Sequence, residues 1–215
     1  MNSGLSNYTI IIPARKNSRG LPFKNRKLID NTLDSIPERF HKKIIISTDD
    51  DFLKNKYSNY NIFNRSIESA SDTASTKSLM LEMVNYIETE NIIMLYLTYP
   101  ERTWKDIEKA ITFFENNNAS SLLCKKDLKS SPFLMMYEDG INGSQIIEHD
   151  LYRRQDYPKC FEISHFVSIF SKKELDKLNN NMYNVNTIFH KINDVVDVDT
   201  QEDLRIYNEK NKNNC

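Results

Sequence analysis

Four cations, Arg15, Lys16, Arg19 and Lys24, fall within ten residues near the start of the chain, with Asn17, Ser18 and Asn25 among them as hydrogen-bond donors. Such a set suits a polyphosphate, whose oxygens accept charge-assisted hydrogen bonds from several side chains at once. Gly20 and Pro22 shape the stretch as a loop. A solvated basic turn would have the same composition. Neither GxxxxGKS/T nor GxGxxG occurs here, so the two commonest phosphate loops are excluded. At the other end of the chain Asp197 and Asp199 alternate with Val196 and Val198. In an extended segment that period puts both carboxylates on one face. Two acids side by side repel unless a cation lies between them. A hard divalent ion, held by one or two carboxylates plus phosphate oxygens, fits the pattern; a solvated acidic turn is the alternative.

These groups need a scaffold, and the hydrophobic pattern supplies one. Ile10, Ile11 and Ile12, closed by Pro13, read as a strand buried on both faces, as the central strands of α/β sheets are. Ligands of such sheets bind beyond the carboxyl ends of the strands, where the basic loop lies. A short helix is expected between Arg26 and Phe40, ended near Pro37, then strands over Lys43–Ser47 and Asn61–Phe63. Leu79, Met83 and Ile87 recur every fourth residue, giving an amphipathic helix for which Asp72 or Thr73 is the expected cap. A strand over Asn91–Thr98 follows. Thr103 to Asp106 read as a capping box opening a helix with Ile107, Ala110, Ile111 and Phe114 inward, and Trp104 as a packing residue. A strand begins at Ser120–Cys124. Gly140 and Gly143 mark a hairpin turn between Phe133–Tyr137 and Gln145–Ile147, and His165 opens an apolar strand. Thr200 caps a closing short helix whose first turn holds Glu202 and Asp203, and the tail from Asn208 to Cys215 reads as frayed. Alternating strands and helices define a three-layer α/β/α domain with a mainly parallel sheet.

In sequence the first loop reads PARKNSRGLPFKN, and it resembles the signature of the cytidylyltransferases that activate sialic acid and related nonulosonic acids. The resemblance returns in order at STDD, at Arg65 followed by ASDTAS, at YRRQDY and at DVDT followed by EDL, so it covers most of the chain. It implies a Rossmann-like nucleotide-diphospho-sugar transferase fold over residues 1–215, with an arm at 132–157 that embraces a second subunit. The implied reaction joins CTP to a sugar acid, giving CMP-sugar and pyrophosphate. Ala14, Arg15, Asn17, Ser18, Lys24, Asn25, Arg65, Asp72 and Ser75 would bind the nucleotide, with Arg15, Lys24 and Asp199 in the catalytic roles. Tyr96 and Arg154 would face the sugar, and Asp197 and Asp199 would hold Mg2+. Four features depart from the family pattern. The first helical piece is short. Tyr96 stands where the family has a glutamine, Tyr99 and Glu101 also differ, and Glu162, Ile163, Ser164 and His165 stand where a second arginine is expected.

Composition narrows the remaining classes. The 215 residues, 39% hydrophobic and 27% charged, suit one substantial core. A net charge of −1 gives no global basic field for nucleic acid or an anionic membrane. No apolar run approaches the roughly 20 residues a membrane helix requires. Cys124, Cys160 and Cys215 have no paired metal spacing, and no signal peptide is evident, so a reduced cytoplasmic setting is expected. His41, His149 and His190 fall in no metal or catalytic spacing. Two rival readings remain: a glycosyltransferase using Asp-x-Asp on a nucleotide sugar, and a nucleotide-binding protein without catalysis.

Overall fold

A computed structural model describes residues 5–212. Ile10, Ile11 and Ile12 are fully buried in β1 (Tyr8–Pro13), and their alternation divides the interior in two. Ile10 and Ile12 join one apolar cluster and Ile11 the other. Burying each such side chain contributes about 1.5–3 kcal/mol, which secures the strand that carries the basic loop.

Around β1 the sheet runs β3–β2–β1–β4–β8–β5–β9. Its members are β2 (Ile44–Thr48), β3 (Asn61–Asn64), β4 (Asn91–Met94), β5 (Ser121–Lys126), β8 (Glu162–Ser171) and β9 (Ile188–Lys191). All pairings are parallel except those of β8, which lies antiparallel between β4 and β5. The first cluster packs α1 (Lys24–Asp34) and α5 (Trp104–Asn116) through Leu28, Ile29, Leu33, Ile107, Ala110, Ile111 and Phe114. Leu53 of α2 (Asp51–Lys56) joins them. The second cluster packs α4 (Thr76–Met83) through Leu79, Met80 and Met83. A one-turn α3 (Ile67–Ala70) precedes α4, and α6 (Gln201–Lys212) ends the described chain. The layers are therefore α/β/α, as the pattern predicts. The capping box at Thr103 and Asp106 is formed, and Trp104 stacks on Phe40 with ring centroids 4.8 Å apart. No helix among the described residues is long and apolar enough to cross a membrane.

Several element bounds differ from expectation for local reasons. Helix α1 starts at Lys24, two residues early, because Phe23 takes a left-handed conformation (φ 55°) that ends the loop abruptly. The chain after Pro37 is a 3-10 helix, Glu38–Lys43. The cap of α4 is Ser75, whose hydroxyl accepts from the Ser78 amide at 3.1 Å, and neither Asp72 nor Thr73 serves. Beyond Met83 the chain tightens into a 3-10 turn, Val84–Tyr86. Strand β4 stops at Met94, four residues short of Thr98. The hairpin consists of β6 (Met136–Asp139) and β7 (Asn142–Gln145). Gly140 makes its turn with φ 61°, whereas Gly143 lies within β7 opposite Glu138. Residues Asn208–Lys212, expected to fray, continue α6 to twelve residues. Cys215 lies outside the described residues.

The Asp-x-Asp segment pairs with no strand. It is a strap, residues 192–199, fastened where the Val198 amide donates to the Thr98 carbonyl at 2.7 Å and the Val198 side chain is fully buried. Tyr99 and Glu101 hold it as well: the Tyr99 hydroxyl donates to Asp197 Oδ2 at 2.8 Å, and Glu101 Oε2 accepts from the Val196 amide at 3.3 Å. At its end the strap meets the basic loop. A Cβ on Gly20 would lie 2.3 Å from the Asp199 carbonyl oxygen and 3.2 Å from its carbon. Backbone faces backbone there, so neither side can yield by a rotamer change. We expect Gly20→Ala to lower stability by about 1–3 kcal/mol and to weaken nucleotide binding by moving the loop. Thermal unfolding together with nucleotide titration checks this, and an unchanged variant would show that the contact relaxes freely.

Candidate functional site

The strand order turns back between β1 and β4, the position at which open α/β sheets form a ligand crevice. A cleft opens there. Its walls are the basic loop (Arg15, Ser18, Lys24 and Asn25), the segment before α4 (Arg65, Asp72, Ser75 and Thr76) and the chain leaving β4 (Tyr96, Leu97 and Thr98).

The basic loop is fastened at both ends. At its start the Ala14 amide donates to the Ser47 carbonyl at 2.8 Å, and the Ala14 carbonyl accepts from Thr48 Oγ1 at 2.5 Å. Ala14 is fully buried, so it shapes the loop from behind. Asn25 Nδ2 spans the loop to the Arg15 carbonyl at 2.7 Å. The two aspartates that follow β2 steady what comes next. Asp49 accepts from the Lys16 amide at 2.7 Å. Asp50, which caps α2, receives two hydrogen bonds from Arg26 at 2.7 and 2.8 Å. Burial alone would raise the Asp50 pKa, but Arg26 and the Phe52 amide outweigh it and hold the carboxyl below its ordinary range. The guanidinium of Arg26 also lies over the rings of Phe23 and Phe52, 4.6 and 4.7 Å from their centroids. STDD is visible in the sequence, but Arg26 and its two rings give no pattern there.

Each cation of the cleft has an internal partner. Asp72 bridges Arg15 and Arg19, 2.8 Å from each, and Lys24 Nζ lies 2.6 Å from Asp199 Oδ1. The hydrogen bond from Arg19, with both positive charges, holds the Asp72 carboxyl below its usual range. Arg65 donates to the Ser69 carbonyl, while its Nε is buried without a partner and burial lowers its pKa. Across the strap Asp197 is half-buried. Burial first, and Asp199 as a neighbouring charge, push its carboxyl up against the hydrogen bonds from Thr98 and Tyr99. Its Oδ1 is buried with no partner. On the remaining wall the Tyr96 hydroxyl donates to Thr76 Oγ1 at 3.0 Å, and burial pushes that phenol up to about 12.

Of the residues singled out from the sequence, Arg15, Ser18, Lys24, Asn25, Arg65, Asp72, Ser75 and Tyr96 line one cleft. Asp197 and Asp199 stand beside it through Lys24 and Thr98. Asn17 is exposed on the loop and does not line the cleft, and Ala14 lies behind it. Arg154 is elsewhere: it is exposed on the arm and borders a separate hollow with Leu134, Met135, Tyr157 and Cys160. Thr98 gains its place only through the fold.

A mainly parallel, three-layer sheet with a cation loop at its switch point has the architecture of the nucleotidyltransferases. The chain belongs to the cytidylyltransferase family, whose profile matches residues 9–214. It is 24% identical over 210 residues to N-acylneuraminate cytidylyltransferases of Streptococcus agalactiae serotypes V and III, in each case covering 90% of this chain and 51% of the relative. The chain thus spans about half the length of the curated relatives it matches. In structure it resembles a CMP:2-keto-3-deoxy-manno-octonic acid synthetase complexed with CTP, with a TM-score of 0.69, 14% identity and coverage of 98% of this chain and 100% of the other. It also resembles the 4-diphosphocytidyl-2C-methyl-D-erythritol synthase of Anaerococcus prevotii, with a TM-score of 0.64, 16% identity and coverage of 95% and 98%. At those identities the likeness concerns the fold.

The cleft measures about 240 Å³, below the roughly 300–1,000 Å³ of small-molecule pockets. Asp72 narrows it by drawing Arg15 and Arg19 together, and phosphate oxygens would compete with that carboxylate for the same guanidinium groups. We expect Asp72→Asn to bind nucleoside triphosphate about three- to tenfold more tightly at low salt, the gain shrinking as salt rises. Titration calorimetry at two ionic strengths measures it. Weaker binding by the variant would instead make Asp72 a nucleotide ligand.

Proposed function

We propose that the protein transfers CMP from CTP to the anomeric hydroxyl of a nonulosonic acid of the sialic type and releases pyrophosphate. The observation that carries this reading is the convergence of Arg15, Lys24 and Arg65 on one cleft beside Asp197 and Asp199. Family membership supports the cytidylyl donor, and the Streptococcus agalactiae relatives support the acceptor.

In this reading Arg15 and Lys24 hold the β- and γ-phosphates, and Lys24 leaves Asp199 to do so. Ser18 and Asn17 add donors on the loop over Ala14. Asn25, Arg65 and Ser75 fix the nucleoside, with Asp72 releasing the arginines as the nucleotide enters. The sugar hydroxyl attacks the α-phosphorus in line, so the side chains act by positioning and by stabilising charge. The residues also fit a magnesium ion: Asp197 Oδ1 lacks a partner, Asp199 is exposed, and two carboxylates complemented by phosphate oxygens are a usual magnesium donor set. Bound there, the ion would neutralise charge on the triphosphate.

We further propose one cytidylyltransferase domain over residues 1–215 that works as a homodimer, with the arm, residues 132–157, reaching the partner's cleft. Arg154 would then supply the forked cation for the sugar carboxylate. Support comes from its distance from its own cleft and from the exposed Leu134, Met136, Tyr137, Ile141 and Tyr152 on the arm. Two-fold dimers are the commonest oligomers. The unpaired Cys124 and Cys160 support a reducing, cytoplasmic setting.

Pyrophosphate release from CTP with magnesium and a free sialic acid is the direct test, and no release with any nonulosonic acid would overturn the assignment. Asp197→Asn and Asp199→Asn should each lower turnover by at least about a hundredfold while circular dichroism stays unchanged. Near-normal rates at the same magnesium optimum would remove the strap from the site. Sedimentation should give a dimer at micromolar protein, and deletion of the hairpin Met136–Gln145 should shift it to monomer with loss of turnover. A fully active monomer would defeat the arm assignment.

A further inference from the structure

Strands β4 and β8 pair antiparallel as far as Met94 opposite Ser168, and His165 lies three residues beyond that pair toward the amino end of β8, on the side where the chain leaves β4. There the His165 ring lies 5.2 Å from the ring of Tyr96, which lines the cleft. The imidazole is only partly exposed, its Nδ1 is buried without a partner, and its ring nitrogens make no hydrogen bond among the described residues. Nearby, Asp197 Oδ1 is also buried and unpaired, and Ser168 Oγ, on the same strand, is unpaired as well. Folded interiors leave few such atoms unsatisfied, and those that remain call for an explanation. Of the three, His165 lies beside Tyr96, on the side of the cleft away from the basic loop, with Asp197 as a neighbouring charge. The backbone does not need the His165 ring for its own fold, since Ser164 Oγ already bonds to the Tyr99 hydroxyl and receives the Phe166 amide.

The chemistry of this wall is neutral. Burial keeps the imidazole below its ordinary pKa and the Tyr96 phenol far above neutrality, so neither carries charge at pH 7. The charge that acts on the imidazole is the Asp197 carboxylate, which would repel an acid. We propose that His165, together with Tyr96, hydrogen-bonds an uncharged hydroxyl or acylamido group of the acceptor sugar and so determines which sugar acid is accepted. This rests on the cytidylyl-transfer reading above, and it separates the cleft into a cationic phosphate side and a neutral acceptor side. A site built to hydrogen-bond a substrate group discriminates strongly against analogues that lack it, because its own polar atoms are then left unpaired.

The test uses the full chain with CTP and magnesium, and two probes, N-acetylneuraminic acid and 3-deoxy-manno-octulosonic acid. Calorimetry of CTP alone is run alongside. His165→Ala should raise KM for the preferred probe about tenfold or more and narrow the ratio of kcat/KM between the probes, with the Kd for CTP within about twofold of wild type. His165→Asn, which keeps a short hydrogen-bonding side chain, should recover part of the loss, and Tyr96→Phe should shift the same ratio. Unchanged KM and ratio in both His165 variants would overturn the proposal. So would a matching loss of CTP affinity, which would mean that the ring only supports the fold. A wild-type protein that binds CTP but neither binds nor turns over either probe would overturn the proposed reaction itself, and this inference with it.

Discussion

The meeting of Gly20 with the Asp199 carbonyl is the constraint on which the cleft depends. It joins the loop that follows the first strand to the strap that follows the last, and it does so without a side chain on Gly20. Lys24 reinforces the join from α1 through its ion pair with Asp199. Neither partner could be placed by its own element alone. The loop leaves β1 at the centre of the sheet, whereas the strap has no strand to pair with and takes its position from Thr98, Tyr99 and Glu101. The cations of the loop and the acidic side chains of the strap, which attract one another, are thereby held together at the cleft.

That attraction sets the resting state. With Asp72 on Arg15 and Arg19, and Asp199 on Lys24, the cations of the loop are neutralised from within. These pairs are largely solvent-exposed on the acidic side, with side-chain exposures of 40% for Asp72 and 62% for Asp199. Exposed ion pairs are weak, typically about 0–1 kcal/mol. In the proposed reading a triphosphate, presenting several charges to the same groups, outcompetes them. Arg65 differs because it is more buried and has an unpaired Nε. Its charge is already desolvated, so an anion arriving there gains more than at the loop.

What the sequence revealed followed from how local each signal is. The isoleucine run of β1, the capping box of α5 and the inward face of that helix depend on near neighbours, and all three are formed. The cap of α4 failed because Asp72 had a competing long-range partner in Arg15, leaving Ser75 to take the amides. Tyr99 and Glu101 looked like bare departures from a family pattern, yet both fasten the strap, a role that requires knowing where residues 98 and 95 positions away come to lie. Arg154 is the opposite case. A motif in the sequence put it with the sugar, but the fold of one chain leaves it on the arm beside a separate hollow, a placement that depends on long-range packing and not on the motif.

The departures from the family pattern fall on one side of the cleft, and the sheet topology gives a reason. The loop after β1, with the segment after β3, forms the cationic wall, and Arg15, Lys24, Asn25, Arg65 and Ser75 all stand on it. Tyr96, Tyr99 and Glu101 lie instead on the chain leaving β4, and His165 in β8, on the far side of the switch point. The walls are carried by different strands and are joined by the β1–β4 pairing, by the Tyr96–Thr76 hydrogen bond and by the strap. In the proposed reading, residues on the β4–β8 side can therefore differ while the elements that carry the basic loop keep theirs. Since β8 is the one antiparallel member of the sheet, its amino end, not its carboxyl end, reaches the cleft, and that is how His165, near the start of the strand, comes to face the ligand side.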